Sequence, residues 1–172
     1  MFSPPESAAT KTASMASGGI GATYTGGTFL VGVNKSLTSG SGFELIISTN
    51  GEQIVMDSPV VNSNSGDLTF DLFEDTVFTG GTPVTAYNND RNSDFVAVVT
   101  GLVVDATISD IGTQILPTVQ NVGDNATGKS TTFTLGYPII FKPNTNYTLR
   151  VVHNDGQTRQ VNLYVSAFRR RT

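Results

Sequence analysis

One stretch of this chain spells out a chemistry directly. In "GDNATGKST", Gly123, Gly128, Lys129 and Ser130 satisfy the phosphate-loop pattern G-x-x-x-x-G-K-[ST]. In such a loop, backbone N–H groups cradle the phosphates, the lysine reaches the terminal ones and the hydroxyl holds a magnesium ion. The pattern needs a strand before it and a helix after it. Upstream, "ILPTVQNV" carries Pro117, which cannot donate a ladder hydrogen bond in a central strand. Downstream, "TTFTLGYPIIF" has strand character and is broken by Gly136 and Pro138, so no helix N-terminus faces a phosphate. Strand and helix patterns alternate nowhere, which excludes the parallel sheet of a nucleotide-binding fold. In a chain rich in Gly, Ser and Thr the match reads as chance, and no cofactor is expected.

The remaining candidates for chemistry are few. His153 is the only histidine and there is no cysteine, so a His-rich or thiolate metal site is excluded. A Ser–His–Asp set would have to use His153, and no G-x-S-x-G elbow presents a nucleophile. His153, before the Asn154-Asp155-Gly156 turn, reads as structural or solvent-facing. Asn88, Asp90, Asn92 and Asp94 alternate like calcium-loop ligands, but Ser93 stands where the loop needs glycine and Val99 where it needs glutamate. This is a polar β-loop or, alternatively, a cation site. Asp71, Glu74 and Asp75 could supply a carboxylate pair for glycoside chemistry. Asp71 projects away from the apolar Leu68/Phe70/Leu72 face, however, and tryptophan, the usual sugar platform, is absent. The expectation is no enzyme and no metal.

The elements that would position these residues have a period of two. Phe43, Leu45 and Ile47 share a face in "GFELIIST". Leu68, Phe70 and Leu72 do so in "DLTFDLFED", and Tyr147, Leu149 and Val151 in "NYTLRVVH". Val161, Leu163, Val165 and Ala167 do so in "QVNLYVSAF". These are half-buried strands. "DFVAVVTGLVV" is apolar on both faces and reads as an internal strand pair or a subunit contact. Asn50-Gly51 predicts a tight hairpin turn. "NSNSGD", "TGGTP", "NNDRNS" and "NDGQ" mark further breaks. With no helical stripe anywhere, the fold expected is all-β: a single antiparallel β-sandwich, jelly-roll-like, over 28–168.

Residues 1–27 are rich in Ser, Ala, Gly and Thr and bury almost nothing, so a flexible N-terminal arm is expected. It reads as a floppy terminus or as an arm that orders on a neighbouring subunit. Residues 169–172 form a basic tail. Its Arg169, Arg170 and Arg171 read as solvated or as contacts to an acidic partner. The net charge of -4 argues against nucleic-acid affinity. Charged residues are 14%, against roughly 25% in ordinary soluble domains, which suits burial in an assembly. No apolar run reaches the roughly 20 residues of a membrane helix, and the first residues lack the pattern of a secretory signal. The Asn-x-Thr triplets at Asn125 and Asn146 then read as chance.

"FKPNTNYTLRVV" resembles the tyrosine-corner strand of fibronectin type III domains. Pro143 sets a corner and Tyr147 packs its ring inward while its hydroxyl reaches a backbone group nearby. Over roughly 28–168 the layout also resembles small tailed-phage capsid decoration, or cement, proteins. The resemblance runs through "FDLFED", the Gly-Thr-Pro turn and Asn/Arg loop of "TGGTPVTAYNNDRNS", and the Pro-Asn-Thr-x-Tyr stretch before a final strand pair. Where such a strand ends aromatic-acidic, this chain has "SAFRRR". The resemblance implies a β-sandwich on the outer surface of an icosahedral shell, bound to major capsid protein as a homotrimer or a dimer and made in the host cytoplasm. Alternatives are a tail-associated or carbohydrate- or receptor-binding module, and a glycoside hydrolase using Asp71 and Glu74. The binding module would need clustered aromatics. Tyr87, Phe95, Tyr137, Tyr164 and Phe168 are the candidates, most of them read as core or interface.

Overall fold

A computed structural model describes residues 28–51, 53–57, 59–63, 67–89, 99–121 and 131–169 of the 172-residue chain. The arm at 1–27, the phosphate-loop-like residues Gly123, Gly128, Lys129 and Ser130, the loop residues Asp90, Asn92 and Asp94, and Arg170 and Arg171 lie outside the described residues.

The described residues are all-β. In chain order the strands are β1 (Thr28–Leu37), β2 (Gly42–Thr49), β3 (Ile54–Met56), β4 (Val60–Ser63), β5 (Leu68–Glu74), β6 (Val77–Thr79), β7 (Thr82–Pro83) and β8 (Tyr87–Asn88). There follow β9 (Val99–Val104), β10 (Thr107–Asp110), β11 (Thr113–Gln114), β12 (Val119–Asn121), β13 (Thr131–Thr134), β14 (Ile139–Phe141), β15 (Asn146–His153) and β16 (Arg159–Arg169).

All but β6 and β10 form two antiparallel sheets packed face to face. Sheet I runs β13–β4–β16–β1–β8, with β14 and β3 continuing β13 and β4 along the same edge of β16. Sheet II runs β11–β5–β15–β2–β9–β7, with β12 also on β5. The pairing is nested: β1 with β16, β2 with β15, β3 with β14, β4 with β13, and β5 with β12 and β11. The first half of the chain therefore pairs with the second in reverse order, as one long hairpin rolled into two layers. That is the double Greek key of a jelly roll.

The tip of this rolled hairpin is an insertion between Asp75 and Gly112. Its β6 and β10 form a small ribbon. Its β7 and β9 extend sheet II, and β8 extends sheet I. Pro83 sits on the edge strand β7, where its missing N–H costs no ladder bond. Of the apolar run "DFVAVVTGLVV", residues 99–104 are β9, an internal strand between β2 and β7; the rest lies outside the described residues.

The faces read from alternation are the buried ones. Leu45, Leu68, Phe70, Leu72, Leu149, Val151, Val161 and Leu163 meet between the sheets in one core. The Asn50-Gly51 turn differs from expectation. It does not close a hairpin but carries the chain from β2 in sheet II to β3 in sheet I. A two-residue hairpin turn of the Asn-Gly type needs positive φ at both central residues. Here only Gly51 has it, at 61°, and its N–H donates to Asn144 Oδ1 at 2.9 Å on a different corner.

Candidate functional site

The segment that carries the phosphate-loop pattern joins β12 of sheet II to β13 of sheet I. Thr131, which follows its Ser130, begins a strand, so the helix that the pattern requires does not start there.

Asp71 and Glu74 do not face each other. Three residues apart on one strand, they project to opposite faces of β5. Asp71 Oδ1 accepts from Thr118 Oγ1 at 2.5 Å and Gln114 Nε2 at 3.1 Å, beside an open depression lined by Gln114–Thr118. Glu74 Oε1 holds Lys142 Nζ at 2.8 Å, and this carboxylate raises the pKa of the lysine above its ordinary value. Both acids are thus committed to partners.

Pro143 and Tyr147 flank the corner between β14 and β15. The Tyr147 hydroxyl accepts the backbone N–H of Lys142 at 2.8 Å, and its ring stacks on Phe141 at 3.9 Å. Burial pushes the phenol pKa up; the Lys142 N–H pulls against it and the Glu74 charge adds to it. Asn144, with φ of 54°, makes the turn. Thr49 pins the corner to β2, donating to Lys142 O at 2.6 Å and accepting from Thr145 N at 3.0 Å.

His153 is fully buried at the end of β15. Its Nε2 lies 2.9 Å from Asp155 Oδ1, a close contact without hydrogen-bond geometry, and neither ring nitrogen is hydrogen-bonded. Asp155 Oδ2 accepts Arg159 Nε at 2.7 Å and Oδ1 accepts Gln157 N–H at 2.9 Å. Burial raises the pKa of Asp155, but the Arg159 and Gln157 bonds and the neighbouring His153 outweigh it, and the net shift is downward. The cluster locks the β15–β16 turn and leaves no exposed nucleophile or base. Among the described residues no three His, Asp or Glu side chains gather to hold a metal.

Sheet I carries the least ordinary surface. Leu30, Tyr87, Ile140 and Tyr164 are exposed, and registers Leu30↔Tyr87, Gly32↔Tyr164 and Val55↔Ile140 put them on its outer face. Tyr87, Tyr137 and Tyr164 are 57%, 56% and 50% exposed, so these three candidate aromatics are not core. Phe168 is half-buried on the same face and Phe95 lies outside the described residues. Beside Tyr164 runs a row of amides: Asn34 Nδ2 donates to Asn162 Oδ1, and Asn162 Nδ2 to Asn62 Oδ1 at 2.8 Å. This row escaped the sequence reading; its only signal was asparagine at outward positions of three strands.

At one end of sheet I, Thr28 pairs with Phe168, so the first and nearly the last described residues of the sandwich are neighbours. Arg169, the first of the three arginines, ends β16 opposite Ile54.

Compared with known proteins, the chain matches no family model and no curated protein.

Proposed function

We propose that this chain is a structural virion protein that decorates or cements an icosahedral phage capsid by binding across joints between major capsid proteins. The observation that carries the reading is the pairing of Thr28 with Phe168. Thr28 and Phe168, the residues next to segment 1–27 and to Arg169, stand at one end of the jelly roll. A long polar segment and a basic one attached at the same end are suited to gripping a neighbour, the first by adding a strand or filling a groove and the arginines by pairing with carboxylates. Jelly rolls are common in viral capsid and lectin domains, which supports the reading by analogy of fold. A subunit that binds only the assembled shell stabilises it by mass action, by about 2.7 kcal/mol per site at a hundred times its Kd. The work needs contact area, not catalysis, and no cofactor.

Cryo-electron microscopy of the parent particle tests this. Density for the sandwich over capsomer joints, as trimers or dimers, is the expected result. Purified shells should bind the full chain and bind poorly to a variant lacking residues 1–27 with Arg169, Arg170 and Arg171 changed to Ala. A particle carrying no such density, or equal binding by that variant, overturns the proposal.

A further inference from the structure

We propose that the outer face of sheet I binds a neutral saccharide, with a sugar ring stacked on Tyr164 and its hydroxyls met by the amides of Asn34, Asn162 and Asn62. The platform comes first. Gly32 faces Tyr164 in register, and a Cβ at Gly32 would stand 3.5 Å from Cδ1 and Cε1 of the tyrosine ring. The ring therefore packs beside the bare Gly32 position at ordinary contact distance. It is still 50% exposed, so its other surface is open to a ligand. A tyrosine held in this way offers an apolar plane to the C–H face of a pyranose at little entropic cost.

The amide row supplies the polar half. Asn34, Asn162 and Asn62 stand directly across three neighbouring strands, one residue pair beyond the Gly32–Tyr164–Val60 row. Each primary amide has two N–H donors and an oxygen that accepts twice. The two bonds within the row fix the orientation of all three amides and use only part of that capacity. What remains is an alternation of donors and acceptors repeating at the strand spacing of about 4.8 Å. Hydroxyls, each both donor and acceptor, match such a row; a group that only accepts or only donates matches half of it.

Charge narrows the class. From Leu30 to Ser36 on β1 and from Gln160 to Phe168 on β16, no outward position is acidic or basic. Phosphate-bearing and nucleic-acid ligands need cations, and these described positions carry none. Tyr87, two strands from β16 and so roughly 10 Å across the sheet, offers a second exposed ring for a further sugar of an oligosaccharide. The site does not depend on the capsid assignment. The amide row lies six residues along β1 from Thr28, roughly 20 Å from where the flanking segments leave.

The test is affinity electrophoresis of the full chain through gels containing dextran, amylose, galactomannan or hydroxyethylcellulose, with binding constants from tyrosine fluorescence, which no tryptophan obscures. At least one neutral polysaccharide should retard the protein. Tyr164→Ala and Asn162→Ala should each weaken retention tenfold or more, while Tyr137→Ala, away from the amide row, should not. Circular dichroism should show both site variants folded; if either is not, Tyr164→Leu, which keeps bulk but not the ring, replaces it. Retention by none of the four gels, or unchanged retention in Tyr164→Ala and Asn162→Ala, overturns the proposal. So does a wild type that sediments as an oligomer, becomes monomeric in Tyr164→Ala and binds no polysaccharide; the face is then a contact between copies of the chain.

Discussion

The hydroxyl of Tyr147 accepts the backbone N–H of Lys142 at 2.8 Å, closing the corner through which the chain passes from sheet I to sheet II. The bond ties the first residue after β14 to the strand that follows the corner. Tyr147→Phe keeps the ring on Phe141 but strands a backbone donor. The expected loss is about 1–2 kcal/mol in urea unfolding at neutral pH, with the m-value unchanged. The pH dependence adds a second readout. Burial raises the folded phenol pKa above its ordinary value of 10.0, so its contribution is full below that value and is lost as pH rises through the folded one. Wild type should therefore lose stability above about pH 10. Tyr147→Phe should lose less over the same range, the difference being read from urea midpoints at pH 9, 10 and 11.

Asp155 gives the opposite dependence. Its folded pKa is lowered below 3.8, so the carboxylate contributes above that value and its contribution disappears as pH falls through the folded pKa. Asp155→Asn keeps the shape and an acceptor for Gln157 N–H but removes the charge beside Arg159 and His153. The expected cost at pH 7 is roughly 1–3 kcal/mol. The gap between wild type and variant should narrow from about pH 4 downward. A gap that stays constant to pH 2 would show that shape and not charge holds the turn.

The strands were legible in the sequence because their inner faces are continuous apolar rows. Leu68/Phe70/Leu72 and Val161/Leu163/Val165 alternate without interruption, and burial follows them. The jelly-roll pairing was not legible in detail. Asn50-Gly51 reports that the backbone turns, not whether the next strand returns to the same sheet or crosses to the other. That choice depends on partners such as β14 and β16, far along the chain. The amide row was hidden for the same reason: Asn34 and Asn162 are 128 residues apart, and Asn162 and Asn62 are 100. The phosphate-loop pattern stood out because it is local, and locality is what makes a short motif easy to match by chance. Tyr147 was the useful exception, since the partner of its hydroxyl lies five residues away.

Two glycines with nearly equal φ separate backbone strain from close approach. Gly112 has φ of 82° and Gly156 has φ of 85°. A Cβ at Gly112 would fall on the carbonyl oxygen of Glu74, whereas one at Gly156 meets nothing within 4 Å. Gly156→Ala should cost only the left-handed conformation, about 1 kcal/mol. Gly112→Ala must also push the end of the insertion away from β5, and the loss should exceed that of Gly156→Ala by at least about 2 kcal/mol. Urea midpoints of the two variants decide; equal losses would mean that the insertion can shift without cost.

Ile46 tests whether the outer face of sheet II is part of the interior. Alternation along β2 points Ile46 away from the core shared by Leu45 and Ile47, yet none of its surface is exposed. Its register neighbours are Thr148 and Val103. Thr148 Oγ1 is bonded to Thr76 Oγ1 at 2.8 Å, and Thr76 in turn donates to Ile111 O at 2.8 Å, so both ends of the insertion converge beside it. Phe73, under the Arg150 guanidinium at 5.3 Å, lies across Thr148 in the next strand. If this surface were an ordinary solvated face, Ile46→Ala would change stability by less than about 0.5 kcal/mol. Buried as it is, the substitution should cost about 2–5 kcal/mol, the range of a core truncation, and Leu149→Ala between the sheets should fall in the same range. Thermal or urea unfolding of the two variants side by side compares the two faces of sheet II directly.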